Sequence, residues 1–91
     1  MPISFDPEKR NWTLAVRGLD FAEAAELIED GASFEFVDDR RDYGETRITT
    51  IGLLRGRMIV VIWTKRDDDH HVISMRKAND REYARYASRL G

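Results

Sequence analysis

The sequence contains no cysteine, which excludes disulfides and thiolate metal sites. None of its apolar runs approaches the roughly 18 residues that a membrane-crossing helix needs. Its opening, MPISFDPEKR, lacks the basic start and apolar stretch of a secretory signal, so the expectation is a cytoplasmic protein. There is no glycine-rich phosphate loop, no HExxH and no GxSxG, and no repeat, linker or low-complexity segment. What is left is 91 residues with 42% hydrophobic side chains. That is enough for one small domain spanning residues 1–91, too little for two, and too apolar for a disordered chain.

Charge is plentiful but uneven. Residues 1–39 hold 3 basic against 10 acidic side chains, whereas residues 40–91 hold 12 basic against 7 acidic. The net charge of −2 hides this split. Two faces with different partners follow from it, the basic one suited to a phosphate backbone. The plainer reading is that the halves neutralise each other within one fold.

The pattern along the chain predicts β-α-α-β-β-β-β-α. Ile3 and Phe5 alternate as in an edge strand. Asp6 caps a helix with Pro7 at its first position, and Gly18 stops it after Arg17. Asp20 caps a second helix with Phe21, Ala24, Ala25 and Ile28 on one stripe, ended by Gly31. The two form an N-terminal helical hairpin. Strands follow over 33–37, 45–54, 58–63 and 70–76, with a polar loop over 38–44, a tight turn at Arg55-Gly56 and a loop over 65–69. The continuously apolar run 58–63 marks a central strand covered on both faces. Asn79 caps a C-terminal helix, with Glu82 three residues on as in a capping box and Tyr83, Tyr86, Ala87 and Leu90 as its apolar stripe. The fold class is α+β with an antiparallel sheet.

The chemical candidates are basic and hydroxylic. Arg47 lies within a threonine-rich strand, Arg66 follows the central strand, and Arg76-Lys77 ends the last strand just before a helix N-terminus. Three guanidinium groups from successive strands would grip a phosphodiester and stabilise the charge that develops on cleavage. The plainer reading of Arg76-Lys77 is a solvated pair beside a helix cap. His70 and His71 are the only histidines, and on a strand they point to opposite faces. His70 reads as a packed or exposed strand residue and His71 as the candidate acid. Asp67-Asp68-Asp69 reads as a solvated turn rather than a metal site. Trp12, Trp63, Tyr83 and Tyr86 offer stacking surfaces, most of them with the spacing of core residues.

These motifs together resemble the BrnT family, the toxins of type II bacterial toxin–antitoxin pairs. Phe5-Asp6-Pro7-x-Lys9 is similar to the family's opening and Gly18-Leu19-Asp20-Phe21 to its helix junction. Glu45-Thr46-Arg47 with Ile51-Gly52, then 58–64 with Arg66, match its strands. The block from Ile73-Ser74-Met75-Arg76-Lys77-Ala78 through Arg81-Glu82 to Tyr86 is the most specific. The resemblance implies a compact RelE-like fold and a growth-inhibiting, metal-independent endoribonuclease without a cofactor. It implies neutralisation by a DNA-binding antitoxin of the ribbon-helix-helix, BrnA-like type, with operator DNA reached only through that partner and no membrane. Arg47, Arg76, Lys77 and His71 become the expected catalytic residues, and Arg66, Lys9 and Arg17 the substrate contacts. The family has Lys-His before Gly18, where this chain has Val16-Arg17, and Asn where it has Thr13. Two other functions compete with the toxin reading: a degenerate toxin fold kept as an antitoxin-binding subunit, and a small adaptor unrelated to RNA. The acidic hairpin (Glu23, Glu26, Glu29, Asp30) is a second candidate docking surface beside the basic face.

Overall fold

A computed structural model describes residues 2–29, 33–38 and 44–90. The elements are β1 (Ile3–Phe5), α1 (Pro7–Arg17), a 3₁₀ turn (Phe21–Glu23), α2 (Ala24–Ile28), β2 (Phe34–Asp38), β3 (Arg47–Leu54), β4 (Arg57–Arg66), β5 (Asp69–Lys77) and α3 (Asp80–Leu90). The strands form one sheet in the order β1-β5-β4-β3-β2. Among the described residues, no helix is long and apolar enough to cross a membrane.

The local signals for α1 act as read. The Asp6 carboxylate accepts from the Glu8 N–H at 3.0 Å, and Gly18 ends the helix at φ +70°, where the left-handed region favours glycine. Asp20 does two jobs. It accepts from the Ala22 N–H at 3.1 Å and takes the Arg10 guanidinium with both oxygens at 2.9 Å, tying α1 to the start of the next helix. That charge-assisted pair holds the Asp20 carboxyl below its ordinary range, with the Arg10 hydrogen bond as the main cause.

Four features differ from the sequence expectation. The sheet is mixed, not antiparallel: β1 pairs in parallel with β5, Ile3 opposite His70 and Phe5 opposite Val72. A tight turn makes only antiparallel neighbours, so a pairing between the first and last strands leaves no local trace. The second helix begins as a 3₁₀ turn, so its buried stripe is Phe21, Ala24 and Leu27, at a period of three, and Ala25 is not fully buried. The loop expected over 65–69 is a two-residue turn, Asp67-Asp68, because β4 continues to Arg66 and β5 begins at Asp69. Tyr83 of α3 is exposed, and Tyr86, Ala87 and Leu90 alone carry that helix's packing. The expected helix stop at Gly31, Asp30, and most of the loop over 38–44 lie outside the described residues.

Strand β4 is central and covered on both faces, as its apolar run requires. Its odd residues, Ile59, Val61 and Trp63, join Val72 and Met75 of β5 under Phe21, Ala24 and Leu27. Its even residues Met58 and Val60 join Ile51 under α3. Helix α3 reaches only one end of that second face. The other end lies beyond the helix and carries the polar side chains described below, of which Asp38 and Thr64 are themselves buried.

Gly52 is where the helical layer sits closest to the sheet. A Cβ added there would stand 2.8 Å from Leu27 Cδ2 and 3.1 Å from Ser33 Cβ. Leu27 is fully buried and has no room to yield. Gly52→Ala is therefore expected to destabilise the fold by about 1–3 kcal/mol through overpacking. Urea denaturation measures it, and in the double variant with Leu27→Ala, itself costing about 2–5 kcal/mol as a cavity, the total loss should fall short of the sum of the two.

Candidate active site on the open sheet face

The polar face is organised by a β-bulge. Trp63 pairs with Val72 and Ile62 with Ser74, so Ile73 is extra. The alternation of β5 shifts by one across it. His71 and Arg76, five residues apart, therefore lie on the same face. A row of side chains crosses all five strands there: Asp38, Arg47, Thr64, His71 and Ser4, each opposite the next in the sheet register.

Within that row His71 Nδ1 is 2.9 Å from Ser4 Oγ. Burial pushes the His71 pKa below its ordinary 6.5, and the nearby Arg66 charge pushes it further down. The imidazole is thus neutral near neutral pH. Glu45 lies between two guanidinium groups, 3.3 Å from Arg66 and 3.7 Å from Arg47. The Arg66 hydrogen bond holds the Glu45 carboxyl below its usual range. Arg47 and Arg66, expected to converge, do so around this carboxylate.

Arg76 shares the face but not the cluster. It pairs with Val60, four residues along β4 from Thr64 and two strands across from Arg47. Strand geometry makes that roughly 13 Å along and 10 Å across, so the three arginines do not meet at one point. The Arg76 guanidinium forks onto Glu82 at 2.7 and 2.9 Å. Glu82 also accepts from the Asn79 N–H at 2.9 Å, while Asn79 Oδ1 accepts from the Glu82 N–H at 2.8 Å. The capping box legible in the sequence is thus also the holder of Arg76. A cleft of ≈ 220 Å³ opens beside it, lined among others by Phe36, Thr49 and Ile62.

Lys77 pairs with Ile59 and alternates to the opposite face. It meets Arg76 only at the strand end, in a cleft of ≈ 390 Å³ shared with Val16 and Arg17. Helix α1 lies along the part of β5 that β1 leaves uncovered. Arg17 donates to the Met75 carbonyl there at 3.0 Å. Lys9 lines a cavity of ≈ 440 Å³ between α1 and β5, and its charge also acts on His71. His70 is buried on the other face, its ring 4.5 Å from that of Trp63, and burial lowers its pKa too. It stands apart from the row, as read. The residues that sequence reasoning missed are Ser4, Glu45, Thr64 and Asp38. Only Glu45, two positions before Arg47, had a local signal. The second docking candidate is partly occupied within the fold: Arg55 pairs with Glu23 and, at 3.5 Å, with Glu26.

Among the described residues, no group of three or more His, Asp or Glu is placed to hold a metal ion. The face carries groups that suit an anion: guanidinium groups fixed by carboxylates and a neutral imidazole held by Ser4, while the Thr64 hydroxyl is committed to the Thr46 carbonyl. The family described as ribonuclease toxin, BrnT, of type II toxin–antitoxin systems matches the chain over residues 5–82. No curated protein matches it.

Both imidazoles should titrate below 6.5, measured by the C2-proton NMR shifts. The sign of the linkage follows. A depressed folded pKa means that the unfolded chain binds the proton first, so this stabilisation is complete above 6.5 and is lost as pH falls through the folded values. Stability to urea should decline over that range, and decline less in a His70→Gln, His71→Gln double variant.

Proposed function

The chain belongs to the BrnT family of ribonuclease toxins of type II toxin–antitoxin systems, and from that premise we propose that it is a metal-independent endoribonuclease whose cleavage centre is the row from Asp38 to Ser4. The observation that carries the reading is the gathering of Arg47, His71 and Ser4 on one face of the sheet by the strand register, with Arg66 beside them. We also assign the fold to the RelE-like class, on the helical hairpin that leads into a sheet capped by a C-terminal helix.

Cleavage of RNA by its own 2′-hydroxyl needs three things. The hydroxyl must lose its proton as the O2′–P bond forms. The phosphorane charge must be neutralised. The 5′-oxygen must gain a proton as the P–O5′ bond breaks. Arg47 and Arg66 supply the second, donating to the non-bridging oxygens from positions already fixed by Glu45. His71 supplies the first. Its lowered pKa favours the base over the acid role expected from the sequence, and Ser4 orients the ring. Water protonates the departing 5′-oxygen, and the hydroxide so formed takes the proton back from His71, which restores the neutral base. Arg76 takes a neighbouring phosphate by exchanging it for Glu82, with Lys77, Arg17 and Lys9 contributing charge along the strand's approach.

The partner in this reading is a ribbon-helix-helix antitoxin of the BrnA-like type, which covers the same face and carries the pair to operator DNA. Arg55, already bound to Glu23 and Glu26, makes the acidic hairpin the weaker alternative.

Induction of the chain alone in a bacterium should arrest growth and deplete bulk RNA. Purified protein should cleave RNA in the presence of EDTA and leave 2′,3′-cyclic phosphate ends. Arg47→Ala should slow cleavage by about a hundredfold, His71→Ala by a similar factor, and Arg76→Ala should relieve the growth arrest. The rate should rise with pH through the His71 midpoint, below 6.5. Unimpeded growth and intact RNA at good expression would instead leave the chain as an antitoxin-binding subunit without catalysis.

A further inference from the structure

The cavity between α1 and the free edge of β5 is not used by the cleavage centre. Its walls are unlike those of the row. Trp12 forms one side and is 53% exposed, although a tryptophan facing a folded sheet normally finds cover. The Arg17 guanidinium lies over one face of its ring, 5.1 Å from the centroid, and is itself anchored on the Met75 carbonyl. Phe21 and Ile73 supply an apolar floor, and Asp6 and Glu8 bring carboxylates to the rim. The volume, ≈ 440 Å³, falls within the roughly 300–1,000 Å³ of small-ligand sites.

We infer that this cavity takes one unstacked, amino-bearing nucleobase of single-stranded RNA, stacked on Trp12, while Lys9 and Arg17 hold the phosphates beside it. The inference rests on the ribonuclease reading and adds to it a base-recognition subsite. Each part has its reason. Unpaired bases bind by stacking on aromatic rings and guanidinium planes. Carboxylates accept from the exocyclic amines of guanine, adenine and cytosine, which uracil lacks, and they repel a phosphate from the interior. The cations are shared with the neighbouring clefts. Arg17 also lines the cleft of Arg76 and Lys77, and Arg76 lines the one beside Glu82. An extended strand can therefore follow a continuous path from the α1 cavity along the end of β5 to the open sheet face.

The test is binding of the full chain to fluorescein-labelled single-stranded RNA ten-mers containing all four bases. The RNAs carry 2′-O-methyl groups so that none is cut, and abasic or uracil positions are introduced one at a time. Anisotropy is read for the wild type, Trp12→Ala and Trp12→Phe, with circular dichroism to confirm folding. At one position, removing an amino-bearing base or replacing it by uracil should weaken wild-type binding, about tenfold for the abasic form. Trp12→Ala should weaken binding of the intact RNA by the same factor and become indifferent to that position, while Trp12→Phe should keep most of the affinity. If Trp12→Ala binds intact and abasic RNA as the wild type does, the base subsite is overturned and the ribonuclease reading stands. If the wild type binds none of the RNAs and cuts no unmodified RNA, both fall together.

Discussion

Between the pairs Trp63–Val72 and Ile62–Ser74, strand β5 carries one residue more than β4, and the chemistry of the open face depends on it. In a regular strand His71 and Arg76 would point to opposite sides. Val72 and Met75 are both fully buried in the same layer, under Phe21 and Leu27, and only a shift between them allows that. Without the extra residue, keeping Val72 inside would drive the Arg76 guanidinium into the apolar layer and expose Met75. Burying that unpaired charge costs several kcal/mol. The burial of both residues therefore selects the bulge, and the bulge places the imidazole and the guanidinium on one face of the sheet. The site is a by-product of how the core must be filled.

The same face shows how a basic surface is kept ordered before any polyanion arrives. A guanidinium on a flexible stem loses rotamer freedom on binding. Glu45 between Arg47 and Arg66, and Glu82 forked onto Arg76, meet part of that loss in the folded chain. Each carboxylate also opposes a phosphate, so the arrangement exchanges raw charge for geometry. Glu82 is committed twice, to Arg76 and to the first turn of α3. Position 82 thus couples the stability of the last helix to the placement of the arginine. An Ala there would remove both, at a helix-cap cost of about 1 kcal/mol.

Much of this fold was legible because local rules and tertiary packing agree. Asp6-Pro7, Gly18 and Gly56 bound their elements as their dihedral preferences require, and the apolar run of β4 lies at the centre of the sheet. The failures are all non-local or matters of a single residue. The parallel pairing of β1 joins residues 67 positions apart, such as Ser4 and His71. The 3₁₀ start brings Leu27 into the fully buried stripe with Phe21 and Ala24, while Ile28 still packs partly buried against the same core. A bulge leaves no mark in the hydrophobic pattern until the burial of both Val72 and Met75 is known. The site was half legible for the same reason. Residue types on strands named Arg47, Arg66, Arg76 and His71, but register alone decides that the first two meet, that Arg76 stands apart and that Lys77 alternates away.

The departure at Val16-Arg17 can be weighed by where those residues lie. Neither is in the five-strand row. Val16 is exposed, and Arg17 closes the edge of β5 at Met75, stacks on Trp12 and lines the cleft next to Arg76. An arginine at this place gains a carbonyl acceptor and an aromatic ring at once, which a histidine of shorter reach would divide between them. A guanidinium is no general base, so in the proposed mechanism this position holds the strand and does not transfer a proton. Proton transfer must then come from a titratable group elsewhere on the face. His71 is the one histidine in the row, neutral near neutral pH and oriented by Ser4. In the proposed ribonuclease reading, the substitution therefore concentrates acid–base chemistry on β5 and leaves the end of α1 to bind.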